Sequence, residues 1–191
     1  MCGICGKLDF SGAKVDEGLV RRMTALMEHR GPDDFGVYLN HREKISCGLG
    51  HRRLSIIDLF EAGAQPMANE DETLWITYNG EFYNFRDYRQ ELEEKGHRFK
   101  SHCDTETILH LYEEHGLAGT LERMNGMFAF GLWDSRRKEL VLARDRLGKK
   151  PLYYAHLSDG SILFASEMKA LLASGLVDTG RLDYAAMDQF W

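Results

Sequence analysis

Two stretches in the second half of the chain limit its fold more than any other feature. GMFAFGLWD, SRRK and ELVLARDR follow one another over residues 126–146, and PLYYAH, a turn at SDG and SILFAS occupy 151–166. Each is an apolar run, a short polar turn and a second apolar run, the pattern of a β-hairpin. Residues 3–10, 35–40, 45–50 and LWITYN at 74–79 read as further strands bounded by turn-prone residues. Helical spacing appears between these groups. Leu19, Met23, Leu26 and Met27 repeat along VDEGLVRRMTALMEH before a Gly31-Pro32 stop. Asn84 is positioned to cap a helix carrying Phe85, Tyr88 and Leu92 that Gly96 ends. A third helix runs from Asp104 to His115 with Ile108, Leu111 and Tyr112, ahead of Gly116, and a fourth from Glu167 through Leu172. RQELEEKGHRFK reads as a solvated helix face with i, i+4 pairs. Hairpin-linked strands with helices inserted between them predict an α+β layered domain, not a βαβ parallel sheet.

No repeat, low-complexity tract or Pro/Gly/Ser-rich linker interrupts the 191 residues, so one domain over 1–191 is expected, and 43% hydrophobic residues suffice for its core. A formal charge of -6 leaves no basic footprint for nucleic acid. Apolar runs such as MFAFGLW at 127–133 are too short to span a bilayer, and neither a cleavable leader nor a myristoylation pattern opens the sequence. The expected location is therefore the cytoplasm, with no membrane partner. Cys2, Cys5, Cys47 and Cys103 do not form a disulfide scaffold and suit a reducing compartment.

The chemistry starts at MCGICGKLDF. Once Met1 is removed, as is usual before a small residue, Cys2 carries a thiol and a free α-amino group, a nucleophile with a base in the same residue. Read alone, Cys2 is a frayed chain end, and Cys2 with Cys5 is a C-x-x-C of redox or metal type. A hydrolase acting through Cys2 also needs an oxyanion hole and a grip on its substrate. HRGPDDFG at 29–36, GHRRLSIID at 50–58, YNGEFYN at 78–84 and CDTE at 103–106, in loops or at strand ends, offer these groups. Taken singly each is ordinary: an Asn-Gly pair is a turn, an Arg beside a strand a surface charge, and D-T-E a helix cap.

In this order, with MCGI in front and GMFAF, ARDRLGKKPLYY and FASEMKALL behind, the motifs make the chain resemble the glutaminase domain of asparagine synthetase and its amidotransferase relatives. These are class II glutamine amidotransferases, members of the N-terminal-nucleophile hydrolases. The resemblance covers essentially the whole chain. It implies a four-layer αββα sandwich of two antiparallel sheets, with the N-terminal Cys at a strand end between them.

It also implies roles. Cys2 would attack the side-chain amide of glutamine, and the Asn79 side chain with the Gly80 N–H would form the oxyanion hole. Arg53 would hold the α-carboxylate, Asp104 and Glu81 would receive the α-ammonium, and the backbone of Leu54, Ser55, Ile56 and Ile57 would line the same pocket. The motif R-L-S-I selects Arg53 over Arg52, and Arg30 is expected to brace the loop beside Cys2. Relatives often carry an apolar or aromatic residue where this chain has Cys5. In a strand Cys5 points away from Cys2 and is structural. With a single C-x-x-C no metal is expected, and the eight histidines are scattered.

An asparagine synthetase also needs an ATP-dependent domain with an S-G-G-x-D-S loop, which does not occur here. The chain is expected to be the ammonia-producing part of a larger enzyme, with no cofactor of its own. ATP and Mg would belong to a C-terminal synthetase domain, reached through the last 10–20 residues. Aspartate is the leading acceptor, sugar acids being alternatives, and a homodimer is compatible with the resemblance. The alternative reading is a non-catalytic glutaminase-like domain with a structural or interaction role.

Overall fold

The computed structural model describes residues 1–40, 44–58, 60–180 and 184. The strands in chain order are β1 (Gly3–Asp9), β2 (Asp34–Asn40), β3 (Ser46–Arg53), β4 (Met67–Ala68), β5 (Leu74–Phe82), β6 (Gly126–Asp134), β7 (Glu139–Arg144), β8 (Tyr153–His156) and β9 (Ile162–Ala165). The helices are α1 (Glu17–Ala25), α2 (Arg86–Glu94), α3 (Asp104–Arg123) and α4 (Met168–Leu172). One sheet has the order β2-β3-β1-β9-β8 and the other β4-β5-β6-β7, and every pairing is antiparallel. The expected hairpins are β6-β7 and β8-β9.

Three apolar clusters fill the three gaps between four layers. Leu19, Val20 and Met23 of α1, with Ala170 and Leu171 of α4, pack on Cys5 and Leu163 of the first sheet. Ile4, Leu8, Leu49 and Phe164 of that sheet meet Ala129 and Trp133 of the second. Ile76, Phe82, Phe128 and Phe130 are covered on the far side by Leu92 of α2 and by Ile108 and Leu111 of α3. With both faces of each sheet covered, the inner strands are buried almost continuously and lose the alternation of a half-solvated sheet. One polar tie crosses between the sheets: His51 Nδ1 lies 3.0 Å from Thr77 Oγ1, whose hydroxyl donates to the Gly50 carbonyl.

Several expectations need correction. Leu26 is not core: α1 ends at Ala25 and leaves it 42% exposed, while Met27 is buried. Asn84 does not cap α2. Its side chain donates to the Arg123 carbonyl and the Tyr88 hydroxyl and accepts from the Asn125 N–H, tying the start of α2 to the junction before β6. The third helix does break at Gly116, which has a left-handed φ of 64°, but a further helical stretch continues to Arg123. Among the described residues no helix is long and apolar enough to cross a membrane. GRLDYAAMDQFW, expected to open a further helix, lies outside the described residues except for Gly180 and Tyr184.

Candidate active site

Alternation along β1 separates the two N-terminal thiols. Cys5 faces α1, its sulfur 3.3 Å from Thr24 Oγ1, and full burial pushes its pKa up to about 12, so it is inert at neutral pH. Cys2, one residue before the strand, lies on the side of Ile4 and Leu8, where the two sheets meet. Its carbonyl accepts from Arg30 Nε at 2.9 Å, and Arg30 in turn pairs with Glu167 Oε1 at 3.1 Å. The predicted bracing role of Arg30 has this geometry. Leu54 N–H lies 3.5 Å from the Cys2 sulfur. Burial raises the Cys2 thiol pKa, opposed by the Leu54 N–H, the Met1 amine and Arg53. Burial lowers the Met1 amine pKa, Arg30 and Lys150 add to this, and Cys2 and Asp33 oppose it.

Cys2 opens onto a cavity of about 280 Å³ whose lining includes Asn79, Gly80 and Glu81 of β5. This is the scale of a single small metabolite. YNGEFYN was expected in a loop or at a strand end, yet Asn79-Gly80 is no turn: both residues are inside β5, opposite Ala129 and Phe128. β4 covers β5 only at Trp75 and Ile76, so among the described residues the rest of that edge has no neighbouring strand. Alternate N–H groups of a strand point to the same edge. Along it, Tyr78 N–H donates to Gln65 Oε1 at 2.7 Å and Phe82 N–H to Asp104 Oδ2 at 2.9 Å. The alternation directs the Gly80 N–H to that edge between them. Beside it the buried Asn79 Nδ2 has no hydrogen-bond partner among the described residues. A Cβ at Gly80 would come within 2.6 Å of the Met127 carbonyl and 2.7 Å of the Tyr78 ring.

The cavity carries charges of both signs. Arg53 lines it, with its guanidinium donating to the carbonyls of Asp58 and Phe60. Asp58 also accepts from the N–H groups of Phe60 and His102, which ties the Arg53 loop to the segment leading into Asp104. Arg52 points the other way, over the Phe35 ring and 3.6 Å from Glu28. Asp104 sits at the start of α3, and its pKa is pushed up to about 6 by burial, with the Glu81 charge adding and the Phe82 N–H opposing. Leu54, Ile56 and Ile57 line the cavity, the two isoleucines 61% and 38% exposed. Ser55 is not part of the lining, and its N–H donates instead to Asp33 Oδ2. Lys150, 5% exposed, and Gln65 also line it without having been singled out from the sequence. The signal for Lys150 was the KK of ARDRLGKKPLYY, and Gln65 gave none. A thiol, two converging N–H donors, a fixed cation and a buried carboxylate suit nucleophilic attack on the carbonyl of a small zwitterion.

Comparison with known proteins gives the same direction. The profile of the glutamine amidotransferase domain matches residues 1–191. Asparagine synthetase [glutamine-hydrolyzing] 3 of Bacillus subtilis is 45% identical over 176 residues, covering 91% of this chain and 28% of that protein. Asparagine synthetase [glutamine-hydrolyzing] 2 of Arabidopsis thaliana is 45% identical over 174 residues, covering 90% and 28%. The chain thus spans under a third of these relatives. Among solved structures, the glutamine phosphoribosylpyrophosphate amidotransferase of B. subtilis superimposes with a TM-score of 0.74 at 21% identity, over 91% of this chain and 43% of that one, a likeness of fold.

Proposed function

The chain belongs to the glutamine amidotransferase domain family, and from that premise we propose that it hydrolyses glutamine to glutamate and ammonia through Cys2. The ammonia then serves the ATP-dependent amidation of a carboxylate, aspartate first, by a synthetase portion outside this sequence. The observation that carries the reading is the convergence of Cys2, Asn79 Nδ2, Gly80, Arg53 and Asp104 on one cavity.

The Cys2 thiol gives its proton to its own α-amine while sulfur bonds to the side-chain carbonyl carbon of glutamine. The oxygen, now an anion, is met by the Gly80 N–H and Asn79 Nδ2. Collapse expels ammonia, which takes the proton from the α-ammonium and leaves a glutamyl thioester. Water attacks the thioester, its proton passing to the same amine, and glutamate departs as the thiol is restored. Arg53 pairs with the α-carboxylate, and Asp104 with Glu81 receives the α-ammonium. An amine has an ordinary pKa of about 7.7–8.0. At the Cys2 nitrogen it lies beside the Arg30 contact, where positive charge favours the neutral, basic form.

With Met1 attached, the Cys2 nitrogen is an amide with no basic lone pair, and burial leaves the thiol protonated. Chains lacking Met1 should therefore release glutamate and ammonia from glutamine without ATP. Chains retaining Met1, and Met1-free Cys2→Ala, should not. Intact mass measured beside the assay decides: turnover by a preparation in which every chain keeps Met1, or by Cys2→Ala, would overturn the mechanism.

A further inference from the structure

Along α3, whose first residues line the Cys2 cavity, three segments bring together two histidines and two glutamates. Glu70 comes from the turn after β4, His97 from the connection between α2 and α3, and His110 and Glu113 from one face of α3 at i, i+3 spacing. One ligand atom from each lies within 4.8 Å of all the others. His97 Nδ1 is 3.6 Å from Glu70 Oε1 and 3.6 Å from Glu113 Oε2. His110 Nδ1 is 3.5 Å from Glu70 Oε2 and 3.4 Å from Glu113 Oε2. Charge-assisted N–H···O bonds are shorter, about 2.7–2.9 Å. Four ligands placed 2.0–2.1 Å from one ion at tetrahedral angles stand about 3.3–3.4 Å apart.

We propose that Glu70, His97, His110 and Glu113 form a structural site for one divalent transition metal ion, zinc by its ligand set and coordination number. The surroundings fit the same assignment. His97 Nε2 lies 3.1 Å from Glu114 Oε1, the carboxylate–histidine arrangement that directs the Nδ1 lone pair inward. Glu113 keeps its other oxygen on Asn69 Nδ2 at 2.9 Å, and Glu70 Oε1 accepts from the Arg98 N–H at 2.9 Å. The imidazole proton that now faces a carboxylate would be released as one dication meets all four groups. Bound metal would fasten the β4–β5 turn and the α2–α3 connection to the helix whose first residue is Asp104.

The test uses the full 191-residue chain, stripped with chelator and dialysed against Zn²⁺. One zinc per chain should be retained, by wild type and Cys2→Ala alike. Co²⁺ in its place should give the strong visible bands of a tetrahedral ion. Zn²⁺ at a hundredfold excess over Kd should raise Tm by about 5–10 °C. Glu70→Gln, a change on a surface turn, and His97→Asn should lose the bound ion and the Tm gain. Glu114→Gln should weaken binding by about 10–100-fold. Zinc absent from wild type, retained equally by Glu70→Gln and His97→Asn, or lost with Cys2→Ala would each overturn the site.

Discussion

The buried Asn79 amide, with Nδ2 unpartnered among the described residues, carries a desolvation cost of about 1–3 kcal/mol, which the proposed reaction would relieve as the oxygen of glutamine becomes an anion. Asn79→Ala should lower kcat by about 100–1,000-fold, the usual loss for one oxyanion donor, with a smaller change in KM and little change in Tm. A loss confined to KM in steady-state kinetics would move Asn79 to ground-state binding. Asp104 sets a pH dependence. Its folded pKa of about 6 is raised from 3.8, so its contribution to stability is full below the unfolded value and is lost as pH rises through about 6. Binding an ammonium needs the ionised form. A second acid-side ionisation near pH 6, beyond that of the α-amine, should therefore appear in kcat/KM, which reports the free enzyme, and not in kcat. Asp104→Asn should remove it, and identical profiles in the two proteins would take the ammonium away from Asp104. The motif residues of the site were legible because each carries its chemistry in its type. Arg52 and Arg53 were not separable by type, since neighbours in a strand face opposite ways and tertiary packing decides which faces the cavity.

α4 has five residues and cannot be stable alone, yet the residue just before it joins two cations and an imidazole. Glu167 meets His29 at 2.9 Å, Arg30 at 3.1 Å and Lys169 at 3.1 Å. Burial alone would raise its pKa, but hydrogen bonds from Lys169, Arg30 and His29 outweigh this and hold it at about 2. A depressed carboxylate pKa gives stability that is present above its unfolded value of 4.5 and lost as pH falls through about 2. Glu167→Gln should cost about 1–3 kcal/mol at pH 7, and the gap to wild type in urea unfolding should close toward pH 2. A gap that persists there would mean the loss is one of packing. The hairpins were legible because apolar run, turn and apolar run are adjacent in sequence. The two-residue β4 was not, being too short for any periodicity, and Asn84 misled because its amide found partners some forty residues away rather than at the helix start. The four side chains of the metal site come from three segments, so no spacing announces them.

The two sheets carry different halves of the proposed chemistry: Cys2 precedes β1 of one, while Asn79 and Gly80 belong to β5 of the other. Their separation is set by Phe164, wedged between Gly6 of its own sheet and Gly131 of the facing one, where an added Cβ would come within 2.5 Å of the ring at either position. Gly131→Ala should destabilise by about 1–3 kcal/mol through overpacking, measured in urea. It should also lower kcat, since a misplacement of about 1 Å can cost about 100-fold. Unchanged kcat would mean the ring yields without moving the sheets. A last consequence follows from where β4 stops. Continued backward in register, it would bring Pro66 and then Gln65 alongside Thr77 and Tyr78, but β4 ends at Met67 and the Tyr78 N–H takes the Gln65 side-chain oxygen in place of a strand carbonyl. The chain leaves the sheet there, and side chains from Gln65 and Asp104 finish the exposed row of N–H groups on either side of Gly80. In the proposed reaction the carbonyl of glutamine occupies the place of the next strand's carbonyl, so the substrate is read as one residue of β-sheet supplied from outside.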